Sequence, residues 1–70
     1  MDRVPVESSN LASVGFDPKK SVLEIQFNSG SIYQYFGVPQ AVHTGLMAAD
    51  SHGQFFHKFI RNIYQYSRIS

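Results

Sequence analysis

The stretch Ile32-Tyr33-Gln34-Tyr35-Phe36-Gly37-Val38-Pro39 is the tightest constraint in this chain. Its first five residues are β-branched or aromatic apart from Gln34, and it closes on a proline that a central strand does not tolerate. It reads as a strand running straight into a helix start. Before it the apolar residues recur with period two, and after it with the helical period. Sheet and helices therefore meet here, with Tyr33 and Tyr35 at the seam.

Residues 1–8 carry Pro5 and no periodicity, so they read as a flexible lead-in to a single domain over 9–70. A first strand is expected from about Asn10 to Phe16, with Ala12, Val14 and Phe16 on one side. Asp17-Pro18-Lys19-Lys20 is a turn, Asp being favoured at its first position and Pro fixing φ at the second. Val22 to Phe27 alternates, placing Leu23, Ile25 and Phe27 toward a core and Glu24 and Gln26 toward water. Asn28-Ser29-Gly30 makes a three-residue hairpin loop, with Gly at the position that is usually left-handed. The third strand, Ser31 to Phe36, buries Tyr33 and Tyr35 and turns Gln34 outward, which leaves Ile32 and Phe36 on the outer face.

Pro39 suits the first helical position, where its missing N–H costs nothing. Val42, Leu46 and Ala49 follow at helical spacing, in a helix that Gly45 weakens by about 1 kcal/mol relative to Ala. Ser51-His52-Gly53-Gln54 has the form of a capping box. Behind it Phe55, Phe56, Phe59, Ile60 and Ile63 share one helical face, opposite Gln54, His57, Lys58 and Arg61. Tyr64 to Ile69 alternates again, as a tail or a further edge strand. The fold expected is α+β: a three-stranded antiparallel meander, then two short helices packed on one sheet face, then a C-terminal extended segment.

Composition enters through what it excludes. Seventy residues make a small core, and with no cysteine there is neither a disulfide nor a thiolate metal site to reinforce it. No apolar run reaches the ~20 residues that span a bilayer. The first residues lack the basic and apolar blocks of a signal peptide, so a cytoplasmic monomer is expected. His52 and His57 stand on different helical faces and His43 on another element, which is not the spacing of a zinc site. No nucleophile-and-base motif, phosphate-binding glycine loop or carboxylate pair is present, so neither enzyme activity nor a cofactor is expected.

Charge is unevenly placed. Residues 1–50 hold three bases against five acids, whereas 51–70 hold Lys58, Arg61 and Arg68 and no acid. Such asymmetry points toward anionic partners. Lys58, Arg61, Arg68 and His57 could meet phosphates, with Tyr64 and Tyr66 beside them for stacking; the bland alternative is the solvated face of a surface helix. Tyr33 and Tyr35 could stack bases on an open sheet, or fill the seam under the helices. Arg61 could instead be structural, its guanidinium paired with a carboxylate such as Asp17 or with backbone carbonyls.

These residues resemble the KTSC domain family, named for the C-terminal segment of some lysyl-tRNA synthetases and found also in small bacterial and phage-associated proteins. The resemblance runs from about Ser8 to Ile69. It is carried by Ser8-Ser9-Asn10, Val14-Gly15-Phe16-Asp17, then Gly30, Tyr33, Tyr35, Val38 and Pro39. It closes on Ser51, Gly53, Phe55, Phe56, Ile60, Arg61, Tyr64 and Tyr66. Phe16 stands where the family commonly has Tyr, and His57 where it has Asn. The resemblance implies a compact α+β domain without known catalytic activity and, through its attachment to a tRNA-handling enzyme, RNA as the expected partner. Together these readings give a non-enzymatic accessory module binding RNA weakly through a basic, aromatic-rich C-terminal region. A protein-interaction module is the alternative.

Overall fold

A computed structural model describes residues 1–70. Five strands form one antiparallel sheet in chain order: β1 (Val4–Pro5), β2 (Leu11–Asp17), β3 (Val22–Phe27), β4 (Ile32–Phe36) and β5 (Tyr66–Arg68). Helices α1 (Gln40–Ala48) and α2 (His52–Phe59) lie between β4 and β5 in sequence. Leu11, Val14, Leu23, Ile25 and Tyr35 from the sheet meet Val38, Leu46, Phe56 and Ile60 in one core. The meander, the two helices and the C-terminal edge strand thus follow the sequence pattern.

Two turns form by the chemistry expected of them. Asp17 Oδ1 accepts from the backbone N–H of Lys19 at 3.0 Å and of Lys20 at 3.2 Å. Gly30 takes φ +97° and its N–H donates to Phe27 O, closing the β3–β4 hairpin. The first strand departs from simple alternation. A register shift between Leu11 and Ser13 places both Leu11 and Val14 in the core, where plain period two had put Ala12. A bulge does this by adding one residue to one strand.

The helix starts are also explicable. Pro39 is the residue before α1 rather than its first residue, and its carbonyl accepts from the Val42 N–H at 3.0 Å. Ser51 caps α2, its hydroxyl accepting from the Gln54 N–H at 3.2 Å. Gly45 costs α1 propensity for a packing reason: a Cβ there would lie 2.7 Å from Cζ of Phe55, so only glycine lets α2 approach this closely. α2 stops at Phe59. Ile60 leaves helical geometry and Asn62 takes φ 64°, which turns the chain back to lay β5 beside β4. The apolar face expected to run on through Ile63 is cut by that turn, leaving Phe59 and Ile63 exposed.

The lead-in expected over residues 1–8 is instead partly structured. Val4 and Pro5 pair with Val14 and Ser13 as a short edge strand, a place where proline's missing donor is harmless. The segment lies close on the sheet because Gly15 has no side chain; a Cβ there would meet Asp2 O at 2.7 Å. This corrects the expectation for Glu24. It does not face water but is 5% exposed, ion-paired to Arg3 and accepting from Gln34 Nε2 at 2.9 Å. Arg3 Nε also donates to Ser13 Oγ, which donates to Gln26 Oε1, both at 3.1 Å. Arg3, in the segment without recognisable periodicity, thus supplies the countercharge on the outer face.

Candidate functional site

On the helix-covered side, the sheet and the end of α2 enclose an open cleft of about 510 Å³. Tyr33 and Tyr35 of β4 form part of its wall, and Tyr66 of β5, directly opposite Tyr35 in register, forms another. His57 of α2 with Arg61 and Asn62 of the following turn face them. Phe27 and Phe56 lie at its base, and Asn10, Ser29 and Ser31 close the hairpin end. No carboxylate is among these residues.

The aromatic rings form one connected cluster. Tyr35 meets Phe56 edge-on at 5.5 Å between centroids, and Phe27 meets both Tyr33 and Phe56 in the same manner. Tyr66 lies 5.6 Å from Tyr33 and 5.8 Å from Tyr35. The cluster grades from buried to wet: Phe56 is 3% exposed, Tyr35 5% and Tyr66 61%. Such ring pairs contribute about 0.5–1.5 kcal/mol each beyond area burial, so the same tyrosines that shape the cleft also hold β5 to the body. The choice posed for Tyr33 and Tyr35, core or binding surface, has no single answer. They fill the seam and line the cleft.

The sequence-expected cationic residues divide. His57 and Arg61 line the cleft, and Arg61 Nη1 lies 3.3 Å from His57 Nδ1. Arg61 contacts no carboxylate, and Asp17 is occupied by its own turn, so the expected alternative of an Arg61–Asp17 pair is corrected. Lys58 is exposed on α2 outside the cleft wall. Arg68 is exposed opposite Tyr33 in register, its Nε donating to Ser70 O at 3.1 Å. Tyr64 is half-buried against the core and does not line the cleft. Of the other residues singled out, Ile60 is fully buried, Pro39 and Ser51 stand before the two helices, and Gly53 sits over Ser8 and Asn10. His43 stacks on Phe16 at 4.7 Å, where burial lowers its pKa, and His52 Nδ1 hydrogen-bonds Leu46 O at 2.8 Å.

Sequence reasoning did not single out Asn10, Ser29, Ser31 and Asn62 as cleft residues. Polar loop residues carry no periodicity that would aim them. Asn10 reaches the rim because its carbonyl accepts from the Asn28 N–H at 2.9 Å, while Asn28 Nδ2 holds Ser8 O. Only Asn62 gave a signal, since asparagine tolerates the left-handed conformation found there.

Burial above all, then the charges of Tyr33 and Tyr66, outweigh the lowering by Arg61 and push the Tyr35 hydroxyl from 10.0 up to about 12. The fold thus favours the neutral phenol. Its contribution to stability is complete below about pH 10 and is lost as pH rises from there through 12. Absorbance of the phenolate band should therefore show a tyrosine titrating near pH 12. In Tyr35→Phe that component should be absent; if it persists, the high-titrating group is another residue.

A family profile for the KTSC domain matches residues 7–68. An uncharacterized protein of Stutzerimonas stutzeri (strain A1501) is 43% identical over 70 residues, covering 99% of both chains. A lysine–tRNA ligase of Nostoc sp. (strain PCC 7120) is 42% identical over 64 residues, which are 91% of this chain and 11% of that enzyme. The crystal structure of a KTSC domain protein from Yersinia pestis superposes with a TM-score of 0.96 at 42% identity, covering 99% of this chain and 97% of that one. With matched residues running from before β2 to the end of β5, this chain belongs to the KTSC domain family.

Proposed function

We propose that this domain is a non-enzymatic accessory module that binds single-stranded RNA weakly in the tyrosine cleft. The observation that carries the reading is the juxtaposition of exposed Tyr66 with Arg61 and His57 across a cleft whose lining has no carboxylate. RNA proteins that read single strands stack unpaired bases on aromatic rings and hold phosphates with cations. Here Tyr66 and Tyr33 offer the rings and Arg61 the cation, while Lys58 and Arg68 stand outside as secondary phosphate contacts. The kinship with part of a lysine–tRNA ligase supports RNA as the ligand class. Net charge is only +1, so affinity comes from one focused site and not from a broad basic surface.

The test is Arg61→Ala with a fluorescent single-stranded RNA, followed by anisotropy. Binding should weaken about tenfold, as loss of a charged hydrogen-bonding partner implies. The slope of log affinity against log salt should fall by about 0.7, one phosphate contact on a single strand. Melting should be little changed, since Arg61 is exposed and its one side-chain hydrogen bond is to His57. Unchanged affinity and slope would remove Arg61 from the interface.

The protein-interaction alternative draws on a different observation. Phe59 and Ile63 are 50% and 58% exposed at the end of α2 and in the turn after it, and neither lines the cleft. On that reading Phe59→Ser abolishes partner capture and salt-dependent RNA binding is absent from the start.

A further inference from the structure

The RNA reading leaves the hydroxyls of the cleft without a role. Tyr33, Tyr35 and Tyr66 have ring centroids 5.6–6.4 Å apart, and none of their hydroxyls makes a hydrogen bond within the chain. No fully buried side-chain oxygen or nitrogen lacks a partner, so the Tyr35 oxygen is open to solvent, on a residue that is 95% buried and lines the cleft. Arg61 lines the same cleft, and its charge favours the ionised form of that hydroxyl. A neutral phenol donates to an anionic oxygen without needing a countercharge, and a guanidinium fork matches a phosphate in shape. The surrounding walls offer donors in His57, Asn10, Asn62 and the two serines, and no acid that would repel an anion.

We infer that the cleft recognises one nucleotide unit by its phosphate, which takes hydrogen bonds from the Tyr35 hydroxyl and Arg61 while the base lies on Tyr66. This rests on the RNA reading and narrows it to a mononucleotide-sized determinant. At about 510 Å³ the cleft falls within the ~300–1,000 Å³ range of small-ligand sites, which suits one splayed nucleotide and not a duplex. The mononucleotide alone is therefore a ligand, and the rest of the strand adds outer contacts to Lys58 and Arg68.

The experiment compares uridine 5′-monophosphate, uridine, inorganic phosphate and a short uridine-rich RNA. Each is titrated into the isotope-labelled protein, its Tyr35→Phe variant and its Arg61→Lys variant. The nucleotide should shift Tyr33, Tyr35, Arg61 and Tyr66, with uridine and inorganic phosphate each about tenfold weaker. Tyr35→Phe, which removes one oxygen, should weaken the nucleotide about tenfold with its spectrum otherwise retained; Arg61→Lys keeps the charge, loses the fork and should weaken it too. Uridine binding as well as its monophosphate overturns the phosphate assignment. Inorganic phosphate matching the nucleotide overturns the nucleotide unit. If the RNA binds in the cleft but Tyr35→Phe changes nothing, the inference fails while the RNA reading stands; if no ligand binds, both fail.

Discussion

Ile60→Ala should destabilise the domain by about 2–5 kcal/mol, the range for truncating a buried aliphatic side chain. Ile60 is fully buried beside Phe56 in the single core, just where α2 ends and the chain turns back toward β5. Its neighbours in sequence are placed otherwise: Phe59 is half-exposed, and Asn62 holds a left-handed turn. A 70-residue domain has roughly 3–10 kcal/mol to lose at 0.05–0.15 kcal/mol per residue, so the variant should sit near the edge of folding. At about 4–8 °C per kcal/mol for a domain of this size, the melting temperature should fall by about 10 °C or more. Because Ile60 packs in the same cluster as Phe56 and Tyr35, the proposed RNA binding should weaken along with it. A loss below about 1 kcal/mol would show that α2 is not anchored through this residue.

The second large effect lies on the opposite face of the sheet. Arg3→Ala leaves the Glu24 carboxylate in a site where its side chain is 6% exposed, with Gln34 as its remaining partner. Breaking a fully buried pair costs about 3–5 kcal/mol; Arg3 is itself 26% exposed, and solvent reduces this to about 1–3 kcal/mol. The pH dependence separates this cause from simple loss of packing. For Glu24, burial raises the pKa, but hydrogen bonds from Gln34 and Arg3 and the charge of Arg3 outweigh it and hold the carboxyl below 4.5. A depressed carboxylate stabilises the fold above its unfolded pKa, and that contribution is lost as pH falls through the folded value. Without Arg3 part of what holds this carboxyl down is gone, so falling pH costs the variant less than it costs the parent. The stability gap between Arg3→Ala and the parent, from urea unfolding at pH 7 and near pH 3.5, should therefore narrow in acid. A gap that does not change with pH would assign the loss to packing of the Arg3 stem.

These residues also show what the sequence could and could not reveal. The meander, the capped α2 and the C-terminal edge strand were legible because burial on one face imposes a period on contiguous residues. The single basic, acid-free end of the chain pointed to Arg61 and His57 for the same local reason. Arg3 was not legible, since an ion pair across 21 positions leaves no mark in periodicity, and a two-residue strand is too short to show alternation. Nor was the bulge that exchanged Ala12 for Leu11, because Leu11 and Ala12 both look apolar. Lys58 joins Arg61 by charge on one helical face and Tyr64 joins Tyr66 in the alternating tail, yet neither Lys58 nor Tyr64 lines the cleft. The turn at Ile60 to Ile63 ends the helical face, and beyond it Tyr64 packs half-buried against the core while Tyr66 lines the cleft.

That the cleft is the RNA surface is tested most directly by an NMR titration of the labelled domain with a short single-stranded RNA at two salt concentrations. Chemical-shift changes should centre on Tyr33, Tyr35, His57, Arg61 and Tyr66, with weaker effects at Lys58 and Arg68. With about three phosphate contacts, affinity should fall with salt along a log–log slope near −2. Shifts confined to Phe59 and Ile63, or none at low salt, would contradict the account and place the function of this domain elsewhere on its surface.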